Sequence, residues 1–190
     1  HYAWGEVAKK GASQYSPDGY KGTASSDISG TQHDAVKTYL GDGYWIWRMP
    51  TKDMWQDIIT HCTWTWTTVK KVSDGTASEE NLDFDASVWE VRKLNDEGKT
   101  VGIIYIPITG YSGYDEKSGT YTKVNKARCH YWTSTPSSDG AGANETAYAF
   151  ETIYSFDANH GEMSDPVLTG TSKRYNGFCV RPVLLREKNN

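Results

Sequence analysis

Cysteine, leucine, basic runs and long apolar runs are all scarce in this chain of 190 residues, and each shortage excludes something. Three cysteines, none in a C-x-x-C arrangement, do not make a disulfide scaffold, and an odd count leaves at least one thiol unpaired within the chain. No stretch approaches the ~20 apolar residues of a membrane-spanning helix; the longest apolar run is Val101 to Ile108. Lysine and arginine form only short pairs such as Lys70-Lys71, and the net charge is −4 with a pI of about 5.7. Phosphate binding needs a basic face, so a nucleic-acid partner is excluded as an expectation. H-E-x-x-H, G-x-S-x-G, P-loop and G-x-G-x-x-G motifs are absent. The histidines (His1, His33, His61, His130 and His160) are scattered, and no two share a metal-binding spacing. Asp157-Ala158-Asn159-His160-Gly161-Glu162 lacks the EF-hand pattern and reads as a polar turn. Neither a metal nor a cofactor is expected. Carboxylates are plentiful, but a glycosidase pair is defined by its separation, which composition does not give.

What the chain has in quantity is rings: eight tryptophans and thirteen tyrosines, which suit a strand-rich core better than a helical bundle. The length suits one domain, 1–190. The opening His1-Tyr2-Ala3-Trp4 reads as a mid-domain start, as in a processed or truncated chain.

Two helices are predicted near the N-terminus. Thr31 is placed to cap the first, with Ala35, Val36, Tyr39 and Leu40 as its apolar stripe and Gly41 ending it. Thr51 is placed to cap the second, where Trp55, Ile58, Ile59 and Cys62 fall on one face. Cys62 then reads as a small core hydrophobe, and His61 as a surface residue. From Thr63 the period becomes two, with Trp64 and Trp66 on one face and threonines on the other. Ser87 to Leu94 and Lys99 to Ile108 form a hairpin through Asn95-Asp96-Glu97-Gly98. Its second strand is so apolar that a central position, covered on both faces, is expected, with Pro107 ending the ladder. Further strands are expected at Cys129 to Ser134, Ala147 to Phe156 and Gly177 to Leu184, and long loops at 8–31, 109–127 and 157–174. Arg48 and Arg181, each beside a proline, are expected to anchor loop carbonyls or a carboxylate.

The clustered tryptophans of Trp45-Ile46-Trp47-Arg48-Met49-Pro50-Thr51-Lys52-Asp53-Met54-Trp55 look like a sugar platform, but Trp55 is in phase with the buried helix face, and only Trp45 keeps a loop position. Tyr15 and Tyr20, and above all Tyr111, Tyr114 and Tyr121, lie in loops rich in glycine and serine. Loop tyrosines offer rigid amphipathic contact area to sugars or proteins, or pack their loops onto the body. The candidate ligand-contacting residues are therefore Tyr111, Tyr114, Asp115, Tyr121 and Trp45; no catalytic residue is assigned.

Six motifs in order carry a resemblance. They are Tyr2-Ala3-Trp4-Gly5-Glu6, Trp47-Arg48-Met49-Pro50-Thr51 followed by Trp55, Ile106-Pro107 with Gly110-Tyr111, Tyr131-Trp132-Thr133-Ser134-Thr135, Ala147-Tyr148 with Phe150, and Gly177-Phe178-Cys179-Val180-Arg181-Pro182-Val183. Together, from residue 2 to residue 183, they resemble the Fibrobacter succinogenes major paralogous domain of secreted and surface proteins of gut Bacteroidetes. The resemblance implies an α+β, C-type-lectin-like fold: two helices flanking small antiparallel β-sheets, with long loops. It implies a non-enzymatic, extracellular or cell-surface adhesion module whose partner is a glycan or a surface protein. The alternative is a structural or tip subunit of a pilus-like assembly, binding protein only. The E-P-N and W-N-D calcium signatures of vertebrate lectins are absent, so calcium-dependent sugar binding is not implied. The helix start at Arg48 to Trp55 also resembles the formylglycine-generating enzymes, so a cryptic enzyme related to them is a third reading, although these use a closely spaced cysteine pair, whereas Cys62, Cys129 and Cys179 lie far apart in sequence. In such a fold Cys129 and Cys179 could be neighbours, as a disulfide or as two buried thiols.

Overall fold

A computed structural model describes residues 1–8, 15–41, 46–70, 82–122, 128–137, 145–156 and 161–185. The described residues form α1 (Ala35–Leu40), β1 (Ile46–Arg48), α2 (Lys52–His61), β2 (Thr63–Lys70), β3 (Leu82–Leu94) and β4 (Thr100–Pro107), followed by β5 (Gly113–Asp115), β6 (Thr120–Thr122), β7 (Arg128–Pro136), β8 (Thr146–Phe156), β9 (Gly161–Met163), β10 (Val167–Lys173) and β11 (Val183–Leu185). This is a mixed fold with two helices and small sheets whose ladders are all antiparallel.

The second helix forms where its spacing predicts. The Thr51 hydroxyl accepts from Met54 N–H at 3.2 Å, and Asp53 lies in the first turn, where a carboxylate suits the helix dipole. Trp55 is buried; Ile58, Ile59 and Cys62 pack partly buried beside it. The first helix differs from expectation in its cap. Asp34, not Thr31, receives the N–H groups of Val36 (2.8 Å) and Lys37 (3.2 Å), because the helix starts at Ala35; the Thr31 hydroxyl instead accepts from His33 N–H (3.1 Å) in the turn before it. The buried Asp34 carboxylate also accepts from Gly30 and Met49 N–H, tying the segment before α1 to the segment after β1. At six residues the helix buries only Ala35 and Val36, so Tyr39 and Leu40 are exposed rather than part of a buried stripe.

In the three-stranded sheet, ordered β2-β3-β4, Trp64, Trp66, Trp89, Val91 and Ile106 face the core, while Thr63, Thr65 and Thr67 are exposed. Gly98 closes the β3–β4 turn at φ 76°, a conformation that favours glycine. The expected central position of β4 is not observed. It is an edge strand, and Val101, Ile103, Ile104 and Tyr105 are exposed. The strands covered on both faces are β7 and β8. Cys129, Tyr131 and Phe150 enter one core cluster with Trp55 and Trp89, and Trp132, Ala147 and Ala149 enter another with Trp4, Ile28, Met49 and Phe178. Phe150 stacks on Trp55 at 4.4 Å and Trp132 on Phe178 at 4.2 Å.

Beyond its ladder with β8, β7 is covered by loop backbone. Ile28 N–H donates to Ser134 O, Ser134 N–H to Pro50 O, Trp132 N–H to Cys179 O and Cys179 N–H to His130 O. The last strand is accordingly shorter than expected: Gly177 to Cys179 makes isolated bridges, and regular pairing resumes only at β11, against β1. Two of the long loops also carry strands, β5–β6 within 109–127 and β9 and β10 within 157–174. Residues 157–160 of the polar turn lie outside the described residues.

Candidate binding site

The β5–β6 hairpin gives the 109–127 tyrosines a geometry. Tyr114 and Tyr121 are direct cross-strand partners, with ring centroids 5.0 Å apart and planes tilted by 49°. Tyr121 is 46% exposed, leaving a ring face to solvent, while Tyr114 is half-buried. The turn is fixed by Asp115, whose carboxylate accepts from Lys117 N–H (2.9 Å) and Ser118 Oγ (2.8 Å). The Ser118 hydrogen bond, followed by that from Lys117 N–H, lowers the Asp115 pKa from the usual carboxylate range. Asp115 thus shapes the hairpin turn. Tyr111 is half-buried against the core, edge-on to Phe178 at 5.9 Å and tilted on His130 at 4.8 Å. Trp45 lies outside the described residues. Structure brings Tyr114, Asp115 and Tyr121 together and sets Tyr111 apart as a packing residue.

Beside this hairpin is a cleft of about 240 Å³ lined by Pro17, Tyr20, Glu116, Glu145, Lys173 and Tyr175, with Arg174 behind them. Glu116 comes from the hairpin turn, Glu145 from the start of β8, Lys173 from the end of β10, and Tyr20 from the N-terminal segment. Arg174 is buried and acts as the keystone. Its Nε donates to Thr146 O (2.9 Å), another nitrogen to Ala24 O (2.7 Å), and its guanidinium lies 4.2 Å from the Trp4 ring centroid. Trp4 in turn donates its indole N–H to Thr133 O at 2.8 Å.

The cleft's polar groups are only partly consumed. The Tyr175 hydroxyl donates to Glu116 Oε1 (2.7 Å), and Lys173 Nζ donates to Glu145 Oε2 (3.0 Å). Each carboxylate keeps acceptor capacity, and the ammonium keeps donors. Burial pushes the Tyr20 phenol up to about 12 and raises that of Tyr175, so both stay neutral hydroxyls at physiological pH. The surface therefore combines anionic acceptors, a cationic donor, neutral phenols and an exposed ring.

Of these residues, the sequence reading had singled out only Tyr20. Glu116 neighbours Asp115 and could have been found from the turn; Glu145, Lys173 and Tyr175 carry no local signal. Tyr15, expected among the loop rings, is buried, with its hydroxyl donating to His1 O at 2.7 Å; Tyr20 OH similarly donates to Trp4 O at 2.9 Å. Arg48 donates to Trp47 O at 2.7 Å, a carbonyl of its own strand β1 rather than of a loop. Arg181 departs from that expectation: it lines a separate apolar cleft and forms no ion pair with another described residue.

Cys62, Cys129 and Cys179 are all free thiols. Cys179 bridges Tyr131, two residues along β7 from Cys129, while Cys129 bridges Gly110, and burial raises the Cys129 pKa well above the thiol range. Among the described residues no group of three or more His, Cys, Asp or Glu side chains is placed to hold a metal ion, and no helix is long and apolar enough to cross a membrane. Compared with family models, curated proteins and solved structures, the chain matches none.

Proposed function

We propose that the chain is a non-enzymatic adhesion module of C-type-lectin-like architecture that works outside the cell or at its surface and binds a glycan in the cleft beside the β5–β6 hairpin. The observation that carries this reading is the convergence of Tyr20, Glu116, Glu145, Lys173 and Tyr175 on one cleft, with Glu116 in the turn of the hairpin that bears the exposed Tyr121. Sugars present hydroxyls on their edges and C–H groups on their faces. Carboxylates and an ammonium serve the first, and a tyrosine ring serves the second. Loops borne on a fixed body are also where recognition residues concentrate. The six ordered motifs from residue 2 to residue 183 support the family likeness and, with it, the surface location.

A glycan array probed with the wild-type chain, Tyr121→Ala and Glu116→Gln tests the reading. Wild type should mark a defined set of glycans, and each variant should lose about tenfold in affinity, or about 1.4 kcal/mol, at an unchanged melting temperature. Absence of any glycan signal, or equal binding by all three proteins, would refute it.

A further inference from the structure

Among the described residues only β3 pairs with β4, and the edge this leaves is unusual for an edge strand. Natural edges are blunted by lysine, acidic residues, proline or bulges, because unpaired N–H and C=O groups invite another strand. Here Val101 is the bulged residue and Pro107 ends the ladder, yet the stretch between them, Gly102 to Ile106, holds no charge at all. Val101 is 60%, Ile103 45% and Tyr105 51% exposed, on a strand whose other edge is taken by β3.

The same strand borders a cleft of about 380 Å³. Ile104 forms one side, Trp55 and Ile58 of α2 line its interior, and Trp47 with Pro182 to Leu184 form the far wall. Arg181 is the only charged side chain lining it, and no carboxylate among the described residues pairs with it. None of these residues lines the cleft beside the hairpin.

We propose that this edge is a second site, which binds an extended segment of a partner protein by β-strand addition. The segment pairs with Gly102 to Ile106 through its backbone, places alternate apolar side chains in the cleft, and sets an Asp or Glu carboxylate on Arg181. Strand addition draws its affinity from main-chain hydrogen bonds and its selectivity from pockets that take every second side chain. An arginine in an otherwise apolar cleft supplies a fixed donor pair for a carboxylate, and truncating one partner of such a pair is costly. The far wall selects a lone strand over a second copy of this chain, whose β4 would arrive with its own β3 behind it. This site is independent of the glycan reading.

The test uses a short capped peptide of alternating valine and threonine with one central glutamate, and its glutamine counterpart, titrated into the full chain and followed by amide NMR. The account expects shifts and slowed hydrogen exchange at Gly102 to Ile106. The glutamate peptide should bind about tenfold tighter than the glutamine one, and that advantage should vanish in Arg181→Gln. Ile104→Lys, checked for an unchanged melting temperature, should abolish binding. No perturbation of β4, or equal affinity for the two peptides, overturns the proposal. So does a concentration-dependent dimer that Ile104→Lys dissolves, since the occupant would then be a second copy.

Discussion

Strands β4 and β7 invert the usual relation between polarity and burial. The first is the most apolar run of the chain and lies exposed at a sheet edge; the second contains His130, Thr133 and Ser134 and is buried on both faces. Coverage decides the difference. Loop backbone from Ile28, Pro50 and Cys179 covers the side of β7 away from β8, whereas among the described residues only β3 pairs with β4. Partners meet some of the polar groups of β7: Thr133 Oγ1 donates to Tyr148 O at 2.9 Å, Tyr131 OH to Pro107 O at 2.8 Å and Trp132 Nε1 to Tyr2 O at 2.8 Å, whereas Ser134 Oγ and the His130 ring nitrogens are buried without a hydrogen-bond partner among the described residues. A buried strand has a structural use for its residues. In β4 only Ile106 enters the core, and the exposed apolar residues before it draw a proposal about a partner.

Breaking the buried member of the pair should have the largest effect. Trp132→Ala removes a ring stacked on Phe178 and should cost about 4 kcal/mol, lowering Tm by roughly 10 °C in thermal unfolding. Asp34→Ala should cost about 3 kcal/mol, because it strips the acceptor that holds four backbone N–H groups and loosens the segment whose Ile28 covers β7.

A third effect depends on pH. His130 is buried, neither ring nitrogen has a hydrogen-bond partner among the described residues, and burial, aided by the Arg128 charge, pushes its pKa down to about 3 from 6.5. Its Nε2 lies 3.8 Å from Glu151 Oε1, beyond hydrogen-bond range, so the contact is between a neutral ring and a carboxylate rather than an ion pair. Between those two pKa values the unfolded chain takes up a proton that the folded chain refuses, so stability falls as pH drops through this window. Glu151, raised by burial, acts with the opposite sign in the carboxylate range, and His1, whose burial is outweighed by contacts with Cys179 and Thr109 that raise its pKa, opposes His130 at the top of the interval from about pH 6.5 to 5. Chemical denaturation across that interval should show a loss on the order of 1–2 kcal/mol, flattened in His130→Phe. The smallest effect belongs to β4: Ile103→Lys should change stability by less than about 0.5 kcal/mol while raising the concentration at which the protein aggregates. A large loss there would mean that β4 is covered after all.

Local signals were legible in the sequence. The Thr51 cap, the Trp64 and Trp66 alternation and the Gly98 turn depend on a few neighbouring residues, and each forms as the pattern predicts. Sheet order is not local. An apolar run shows that a strand is hydrophobic but not that anything covers it, so β4 was placed at the centre and β7 went unremarked as the true interior. The candidate site divides the same way. Tyr114 and Tyr121 were visible as loop rings, whereas the groups beside them converge from residues 20, 116, 145, 173 and 175, and only the fold assembles them. The Asp34 cap was missed because Thr31 offers an equally good cap by type, and the helix starts one turn later, at Ala35.

The central claim is that recognition of a sugar sits at the hairpin cleft and not at the open edge. Amide NMR of the labelled chain, titrated with a glycan selected on the array, tests it most directly. The account predicts perturbations at Tyr20, Glu116, Tyr121, Glu145 and Tyr175, with Gly102 to Ile106 silent. Perturbations confined to β4 and β11, with the hairpin cleft unmoved, would contradict it.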